Sequence, residues 1–273
     1  MKIEFKNTFL FISLLLILVG CSTTKNNIVS NTDKKPLPSS TNTKDKKFKT
    51  GAENFESFLP LLKDKRVGIV TNQTGILLKE KHLVDFLLEQ NINLQKIYAP
   101  EHGFRGTADA GELIVDGKDT KTNLPIISLY GNNKKPKPEQ LEGIDIMVFD
   151  LQDVGARFYT YISSLHYVME ACAENNIPLL VLDRPNPNGT IIDGPILEKE
   201  HTSFVGMHEI PVLHGMTIGE YAKMINGEKW LKDSLQCDLK VAPCLNYSHD
   251  MKYSLPVKPS PNLPNDQSIN LYA

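Results

Sequence analysis

After residue 50, short continuous apolar runs alternate with segments in which apolar residues recur at helical spacing. Together these two patterns predict a succession of strands and helices. Short apolar runs suit strands that are buried on both faces, whereas apolar residues at three- and four-residue spacing suit amphipathic helices. The predicted strands cover residues 66–71, 94–99, 125–130, 144–149 and 178–182, and the predicted helices cover 82–90, 138–141 and 161–175. Strands and helices in alternation predict an α/β fold built on a doubly wound parallel sheet.

Helical spacing also predicts which side chains face the sheet. In the predicted helix 161–175 one face is formed by Leu165, Val168, Met169 and Cys172. The predicted folded part begins with four apolar residues at the same helical spacing, namely Phe55, Phe58, Leu59 and Leu62.

The first 50 residues have a different pattern, which predicts export and a flexible connection. Lys2 and Lys6 precede an apolar run over residues 9–19 that is too short to span a bilayer but has the length of a signal-peptide core. The run ends in Leu-Val-Gly-Cys, which resembles a bacterial lipobox, so we predict a signal peptide over 1–21 and lipidation of Cys21. Residues 22–50 are rich in Ser, Thr, Asn and Lys and predict a disordered tether.

Composition excludes some classes of protein. The 273 residues include 30 basic and 32 acidic residues with a net charge of −2, so there is no basic stripe and we expect no nucleic-acid partner. Outside the signal peptide, Cys172, Cys237 and Cys244 lack metal-ligand spacing. A disulfide between Cys237 and Cys244 is possible, but a chain of this length folds without one, so we expect free buried thiols.

Polar, glycine-containing segments follow several of the predicted strands. After strand 144–149, six side chains that could bind a ligand lie within the twelve positions 150–161. Similar segments follow strands 66–71, 94–99 and 178–182. Because a doubly wound sheet binds ligands beyond the carboxyl ends of its strands, these segments predict a functional cleft. Ordinary loop polarity is the alternative explanation.

Several chemistries lack their sequence signature. No G-x-G-x-x-G follows the first predicted strand, Glu112 stands where a phosphate-binding loop needs its lysine, and no serine lies in a G-x-S-x-G turn. The pairs Glu101-His102 and His208-Glu209 could bind a metal only with further ligands, so structural roles are favoured for these histidines. We therefore predict no metal and no cofactor.

The remaining candidate side chains are carboxylates, amides, tyrosines and arginines. This combination is typical of a carbohydrate-binding site. Glycoside cleavage needs a protonated acid at the leaving oxygen, and often a second carboxylate or a substrate group across the ring. Glu101 is our candidate for the acid, because partial burial at a strand end would raise its pKa towards the working pH. Asp150 is our choice for the second catalytic role, with Asp153 and Asp183 as alternatives. For each of the three, a role as a helix or turn cap is the competing explanation.

Five ordered motifs resemble one known family, the exo-β-N-acetylmuramidases of the NamZ type, long catalogued as a domain of unknown function. The motifs are Ala99-Pro-Glu-His-Gly-Phe-Arg-Gly106, Phe149-Asp-Leu-Gln-Asp-Val-Gly-Ala-Arg-Phe-Tyr-Thr-Tyr161, Asp183-Arg-Pro-Asn-Pro187, Ser203-Phe-Val-Gly206 and His214-Gly-Met-Thr-Ile-Gly-Glu220. The resemblance implies a Rossmann-like domain, which we place at 51–200, and a smaller α/β domain at 201–273, with the active site between them. It also implies release of terminal N-acetylmuramic acid from the non-reducing end of peptidoglycan fragments, with Glu101 matching the catalytic glutamate.

The lactyl carboxylate of muramic acid suggests an arginine partner, and Arg105, Arg157 and Arg184 are the candidates. Tyr159 or Tyr161 could stack on the sugar ring. Further substrate-binding candidates at the same strand ends are Asn72, His102, Gln152, Asp153 and Asn186.

The expected partners are therefore peptidoglycan fragments or other muramic-acid-containing saccharides, and a membrane reached through the lipid anchor. We expect the protein to lie on the bacterial cell envelope, facing the periplasm or the exterior. Members of the family continue well beyond the Pro259–Pro264 segment, so we expect a truncated member with an incomplete smaller domain and slow turnover. A non-catalytic sugar-binding lipoprotein and an inactive remnant are the alternatives.

Overall fold

A seven-stranded, mostly parallel sheet lies at the centre of the fold, as seen in a computed structural model that describes residues 47–77, 80–105 and 116–273. From one edge to the other its strands are β3 (Gly117–Lys118), β4 (Pro125–Ser128), β2 (Asn93–Ala99), β1 (Arg66–Thr71), β5 (Ile146–Asp150), β6 (Leu179–Leu182) and β9 (Leu239–Ala242). Only the edge pair β3 and β4 is antiparallel among these neighbours. A separate antiparallel pair consists of β7 (Ile192–Asp193) and β8 (Leu213–His214).

Helices connect the strands and cover both faces of the sheet. They are α1 (Phe55–Leu62), α2 (Leu83–Glu89), α3 (Pro138–Leu141), α4 (Tyr161–Glu174), α5 (Ile218–Gly227) and α6 (Asp266–Asn270). Short 3₁₀ helices cover Gly51–Glu53, Lys199–His201 and Lys232–Ser234. The doubly wound α/β fold predicted from the periodicity is confirmed, and the predicted strands and helices differ from the observed ones by only a few residues at their ends.

The order of the strands determines where a ligand crevice forms. The chain passes outward from β1 through β2 to β4, then returns to β5 on the other side of β1 and continues to β6 and β9. The order therefore reverses between β1 and β5, and a crevice opens at the carboxyl ends of these two strands.

The core has two layers because side chains alternate across the sheet. In β5, Met147 and Phe149 belong to the layer that contains α4 and α5. Ile146 and Val148 belong to the opposite layer, with α1 and α2. The predicted face of α4 is confirmed, since its four apolar side chains are fully buried. Burial of each such side chain contributes roughly 1.5–3 kcal/mol.

The predicted boundary at residue 200 lies between elements that share the main sheet. Among the described residues, β9 pairs with β6 and α5 packs against α4, although β6 and α4 precede the boundary and α5 and β9 follow it. Separation at residue 200 would therefore remove an edge strand from the sheet. The division into domains at 51–200 and 201–273 stays a prediction.

The predictions for the first 50 residues fall mostly on residues outside the described part. This holds for the signal peptide 1–21, for Cys21 and for most of the tether, although Lys49 forms an antiparallel bridge with Leu245. Cys172 and Cys237 are free and buried, as expected, whereas Cys244 is free but only half-buried. None of the helices in the described ranges is long and apolar enough to cross a membrane.

Candidate active site

Glu101 lines a cavity of about 210 Å³ at the carboxyl edge of the sheet. It follows β2 and lies in a tight turn, in which the Gly103 amide donates to the Pro100 carbonyl at 3.0 Å. His102 has a φ of 71° in this turn and is buried against the same cavity. The other lining residues are Phe158, Tyr159, Thr160, Tyr161, Val205, Ser260, Asn262, Leu263 and Tyr272.

Tyr130 is a partner of Glu101 that the sequence analysis did not select. Its side chain is hydrogen-bonded to Glu101. Burial raises the pKa of Tyr130, and the nearby negative charge of Glu101 raises it further, so the phenol keeps its proton and can donate to the carboxylate. Tyr130 lies just after β4, which ends at Ser128. The predicted strand extended to residue 130, so a search beyond its end passed over this tyrosine.

Tyr161 connects three strand ends at the floor of the cavity. Its hydroxyl accepts from Asn72 Nδ2 at 2.7 Å and donates to the Glu101 carbonyl oxygen at 3.4 Å. Tyr159 packs edge-to-face on it, with centroids 4.9 Å apart, and donates to the Pro259 carbonyl at 2.8 Å. Both tyrosines are almost completely buried, and burial raises their pKa.

The buried rings of Tyr159 and Tyr161 offer no open face for a sugar to stack on. The more exposed aromatic residues at this cavity are Phe158 and Tyr272, at 37% and 38% exposure, with centroids 5.2 Å apart. Tyr272 lies more than a hundred residues from Phe158 in sequence, so periodicity could not bring them together.

Asp150 is not accessible for the second catalytic role that we predicted. Arg184 Nε donates to its Oδ1 at 2.6 Å and Arg184 Nη2 to its Oδ2 at 3.0 Å, with both side chains at 1% exposure or less. Both carboxylate oxygens are therefore held by one guanidinium inside the protein. This buried pair joins the ends of β5 and β6, and Arg184 is equally unavailable to a lactyl group.

The other two arginines are also engaged away from the Glu101 cavity. Arg105 forms a two-point pair with Asp119, at 3.2 and 2.9 Å, and lies over the Phe104 ring. Arg157 Nη1 donates to the carbonyl oxygens of Pro195 and Ile210. None of the three predicted lactyl-binding arginines lines the cavity of Glu101.

The remaining candidates shape the loop after β5. Gln152 Nε2 donates to the Asp153 and Pro185 carbonyls, and Asp153 Oδ2 accepts from the Gly155 amide at 2.7 Å. Gly155 has a φ of 82°, and a Cβ there would lie 2.3 Å from Asn186 Oδ1. These contacts make Gln152 and Asn186 supports of the loop.

Asp153 retains one acceptor without a partner among the described residues. Its Oδ1 is buried and unpaired, while Oδ2 also lies 3.4 Å from His214 Nε2. His214 belongs to a sequence motif but was not among the predicted site residues.

The hydrogen bonds of Asp183 give this residue a structural role. It accepts from the Gly219 amide at 2.8 Å and from Thr217 Oγ1 at 3.0 Å, at the start of α5. Burial raises its pKa to about 6.

Comparisons with known proteins agree with this architecture. A family model described as exo-beta-N-acetylmuramidase NamZ, N-terminal, matches residues 67–267. The chain is 47% identical over 233 residues to the peptidoglycan beta-N-acetylmuramidase NamZ of Bacillus subtilis (strain 168), covering 83% of this chain and 55% of that protein. The chain thus spans about half the length of this curated relative.

Two solved structures are similar in fold and sequence. Both are DUF1343 family proteins from Bacteroides fragilis NCTC 9343. One has a TM-score of 0.75 at 49% identity, covering 83% of this chain and 60% of that chain. The other has a TM-score of 0.73 at 41% identity, covering 81% and 57%.

Proposed function

The chain belongs to the family described as exo-beta-N-acetylmuramidase NamZ, N-terminal, and from this membership we propose that it is a glycoside hydrolase acting on peptidoglycan fragments. The proposed reaction releases terminal N-acetylmuramic acid from the non-reducing end. Glu101 is the proposed general acid that protonates the leaving oxygen.

The single observation that carries this proposal is the position of Glu101 in a small cavity at the carboxyl edge of the sheet. The cavity lies where a doubly wound sheet places its ligands, beyond the carboxyl ends of the parallel strands. Glu101 therefore has the position that a general acid for a bound saccharide requires.

Tyr130 has a defined role in this scheme. After Glu101 gives its proton to the leaving oxygen, a carboxylate remains, and a hydroxyl that donates to it stabilises the negative charge. The phenol of Tyr130 is already protonated at neutral pH, and burial raises its pKa further.

The second catalytic role does not belong to Asp150 in this scheme, because Arg184 occupies both of its oxygens. Among the described residues that line the cavity, Glu101 is the one carboxylate. A group of the substrate itself, the 2-acetamido group, is therefore our candidate, since some glycosidases use substrate assistance.

The test is hydrolysis of a chromogenic N-acetylmuramide by this chain and, in parallel, by the chain extended with the remaining C-terminal part of the Bacillus subtilis relative. Glu101→Gln keeps the shape of the side chain but cannot donate a proton, so turnover should fall by about 10²–10⁴-fold with little change in binding. Glu198→Gln is the matched control, since Glu198 is exposed and outside the cavity. Turnover that survives Glu101→Gln, or that is absent from both proteins, would refute the proposal.

We also propose that Cys21 is acylated after signal cleavage, which anchors the protein to the cell envelope facing the periplasm or exterior. The support is the pattern of two lysines, a short apolar core and a small residue before the cysteine. Acyl chains gain about 0.8 kcal/mol per buried methylene, so multiple acyl chains hold a protein firmly. Cys21→Ser should release the protein from membranes or leave it unprocessed, and unchanged size and membrane partition would contradict this.

A further inference from the structure

A second cavity, of about 670 Å³, lies beside α4 and shares no lining residue with the Glu101 cavity. Its floor contains His166 of α4 and His208, and its walls include Tyr167, Phe204 and Trp230. This volume is within the roughly 300–1,000 Å³ that small-molecule sites have. The cavity is therefore large enough to bind a ligand of its own.

Three aromatic side chains contribute to the walls of this second cavity. The rings of Tyr167 and Phe204 are nearly parallel, at 9° with centroids 5.9 Å apart, Lys134 Nζ lies 4.7 Å from the centroid of the Phe204 ring, and Trp230 stacks on His208 at 4.5 Å. Tyr167, Phe204 and Trp230 are each only partly buried. Lys199 and Glu209 lie among them, so hydrogen-bonding groups surround the apolar faces. This combination fits the apolar ring face and the hydroxyl rim of a sugar.

The histidines of the floor support the cavity rather than supply chemistry. His208 Nδ1 is hydrogen-bonded to the Tyr221 hydroxyl at 2.8 Å, and His208 Nε2 to His166 Nδ1 at 2.9 Å. His166 Nε2 in turn lies 3.6 Å from Glu170, which pairs with Lys135 at 2.7 Å. All four ring nitrogens face neighbouring side chains, so we assign these two histidines a supporting role at the cavity floor.

One turn and one helix connect the two cavities. Ser203 and Gly206 exchange backbone hydrogen bonds at 2.8 and 3.2 Å, and the turn between them places Phe204 in the second cavity and Val205 in the first. On α4, Tyr161 lines the first cavity and Tyr167 the second. Six residues of helix correspond to about 9 Å, so one chain-like ligand can reach both.

We propose that the second cavity binds the N-acetylglucosamine-containing part of the peptidoglycan fragment whose terminal sugar occupies the Glu101 cavity. This inference rests on the proposed function, since that reaction leaves a saccharide attached beyond the scissile bond. The second cavity would hold this saccharide and orient the terminal sugar towards Glu101.

The chain provides its own probe for this cavity, because Trp230 is its single tryptophan. The experiment titrates the full 273-residue chain with tri-N-acetylchitotriose and follows tryptophan emission. We expect a saturable change, and we expect Phe204→Ala to weaken binding by at least about tenfold, the loss of roughly one aromatic contact. Tyr167→Ala should act in the same direction and provides a second variant if Phe204→Ala does not fold.

The controls separate this proposal from the proposed reaction. Phe48→Ala removes an equally half-buried phenylalanine that lines neither cavity, and should leave binding within about twofold. Glu101→Gln should bind the trisaccharide normally, so failure of hydrolysis would not affect this result. An absent response, an unchanged affinity in both aromatic variants, or a response to a stem tripeptide but not to the trisaccharide would overturn the proposal.

Discussion

Replacement of His208 by glutamine should make the protein less sensitive to acid. Burial lowers the pKa of His208 from 6.5 to about 3, with the nearby His166 as a smaller cause. In the unfolded chain this imidazole takes up a proton near pH 6.5, whereas in the folded protein it stays neutral until about pH 3. The unfolded state therefore binds more protons in this window, and stability falls as the pH is lowered through it.

The magnitude follows from the two pKa values. Between about pH 8 and about pH 5, proton binding to the unfolded state alone costs the folded protein about 2 kcal/mol at this one residue. His208→Gln cannot titrate, so its free energy of unfolding should decrease by about 2 kcal/mol less than that of the unmodified protein over the same interval. The pKa of His166 is also lowered by burial, so part of the acid sensitivity should remain.

Asp183 contributes with the opposite sign. Its folded pKa is raised from 3.8 to about 6 by burial, so its contribution to stability is present below pH 4 and is lost as the pH rises through 6. This term is common to both proteins and cancels when they are compared.

The assay is urea unfolding at about pH 8 and about pH 5, followed by far-UV circular dichroism. His201→Gln is the matched control, because its side chain is 68% exposed and its replacement should leave the pH dependence unchanged. An equal acid-induced loss in His208→Gln and in the unmodified protein would show that His208 does not stay neutral in the fold.

Two further predictions concern stability. Arg184→Met should destabilise the protein by about 3–5 kcal/mol, because it leaves the buried Asp150 carboxylate unpaired. Arg66→Met, at an exposed ion pair that solvent screens, should change the free energy of unfolding much less. Equal losses in urea unfolding would refute this. Gly155→Ala should lower the free energy of unfolding by about 2–4 kcal/mol, because φ is 82° and the new Cβ would overlap the side-chain amide of a neighbouring residue. At Gly117 a new Cβ meets nothing within 4 Å, so Gly117→Ala should change thermal stability little.

The arrangement of elements could be predicted from the sequence because it depends on local periodicity. A run such as Ile146–Val148 buries both faces only inside a covered sheet, and the helical spacing of Leu165 and Cys172 directs both to the core. β9 was not predicted, since it has only four residues, of which Lys240 is exposed and Ala242 is buried, and they form no strong pattern. The boundary at residue 200 was placed without knowledge of β9, which pairs with β6 in the main sheet.

The region of the candidate site could also be predicted, but not the partners of its side chains. Parallel strands bring their carboxyl ends to one edge, so the segments after the strands were expected to meet there, and in the structure the Tyr161 hydroxyl donates to the Glu101 carbonyl oxygen. Whether an acid faces a cavity or a buried guanidinium depends on contacts between distant segments. The pair Asp150–Arg184 is such a contact, and no spacing in the sequence distinguishes it from a catalytic carboxylate.

The sequence by itself therefore determined the alternation of strands and helices, the edge of the sheet at which polar residues gather and the family to which the motifs point. Only the tertiary structure decided which residues enclose Glu101. Tyr130 and Tyr272 come from segments far apart in the chain. Local patterns record whether a residue is buried, whereas the partner of a buried polar group is set by packing between elements, where charge and hydrogen bonds must be satisfied together.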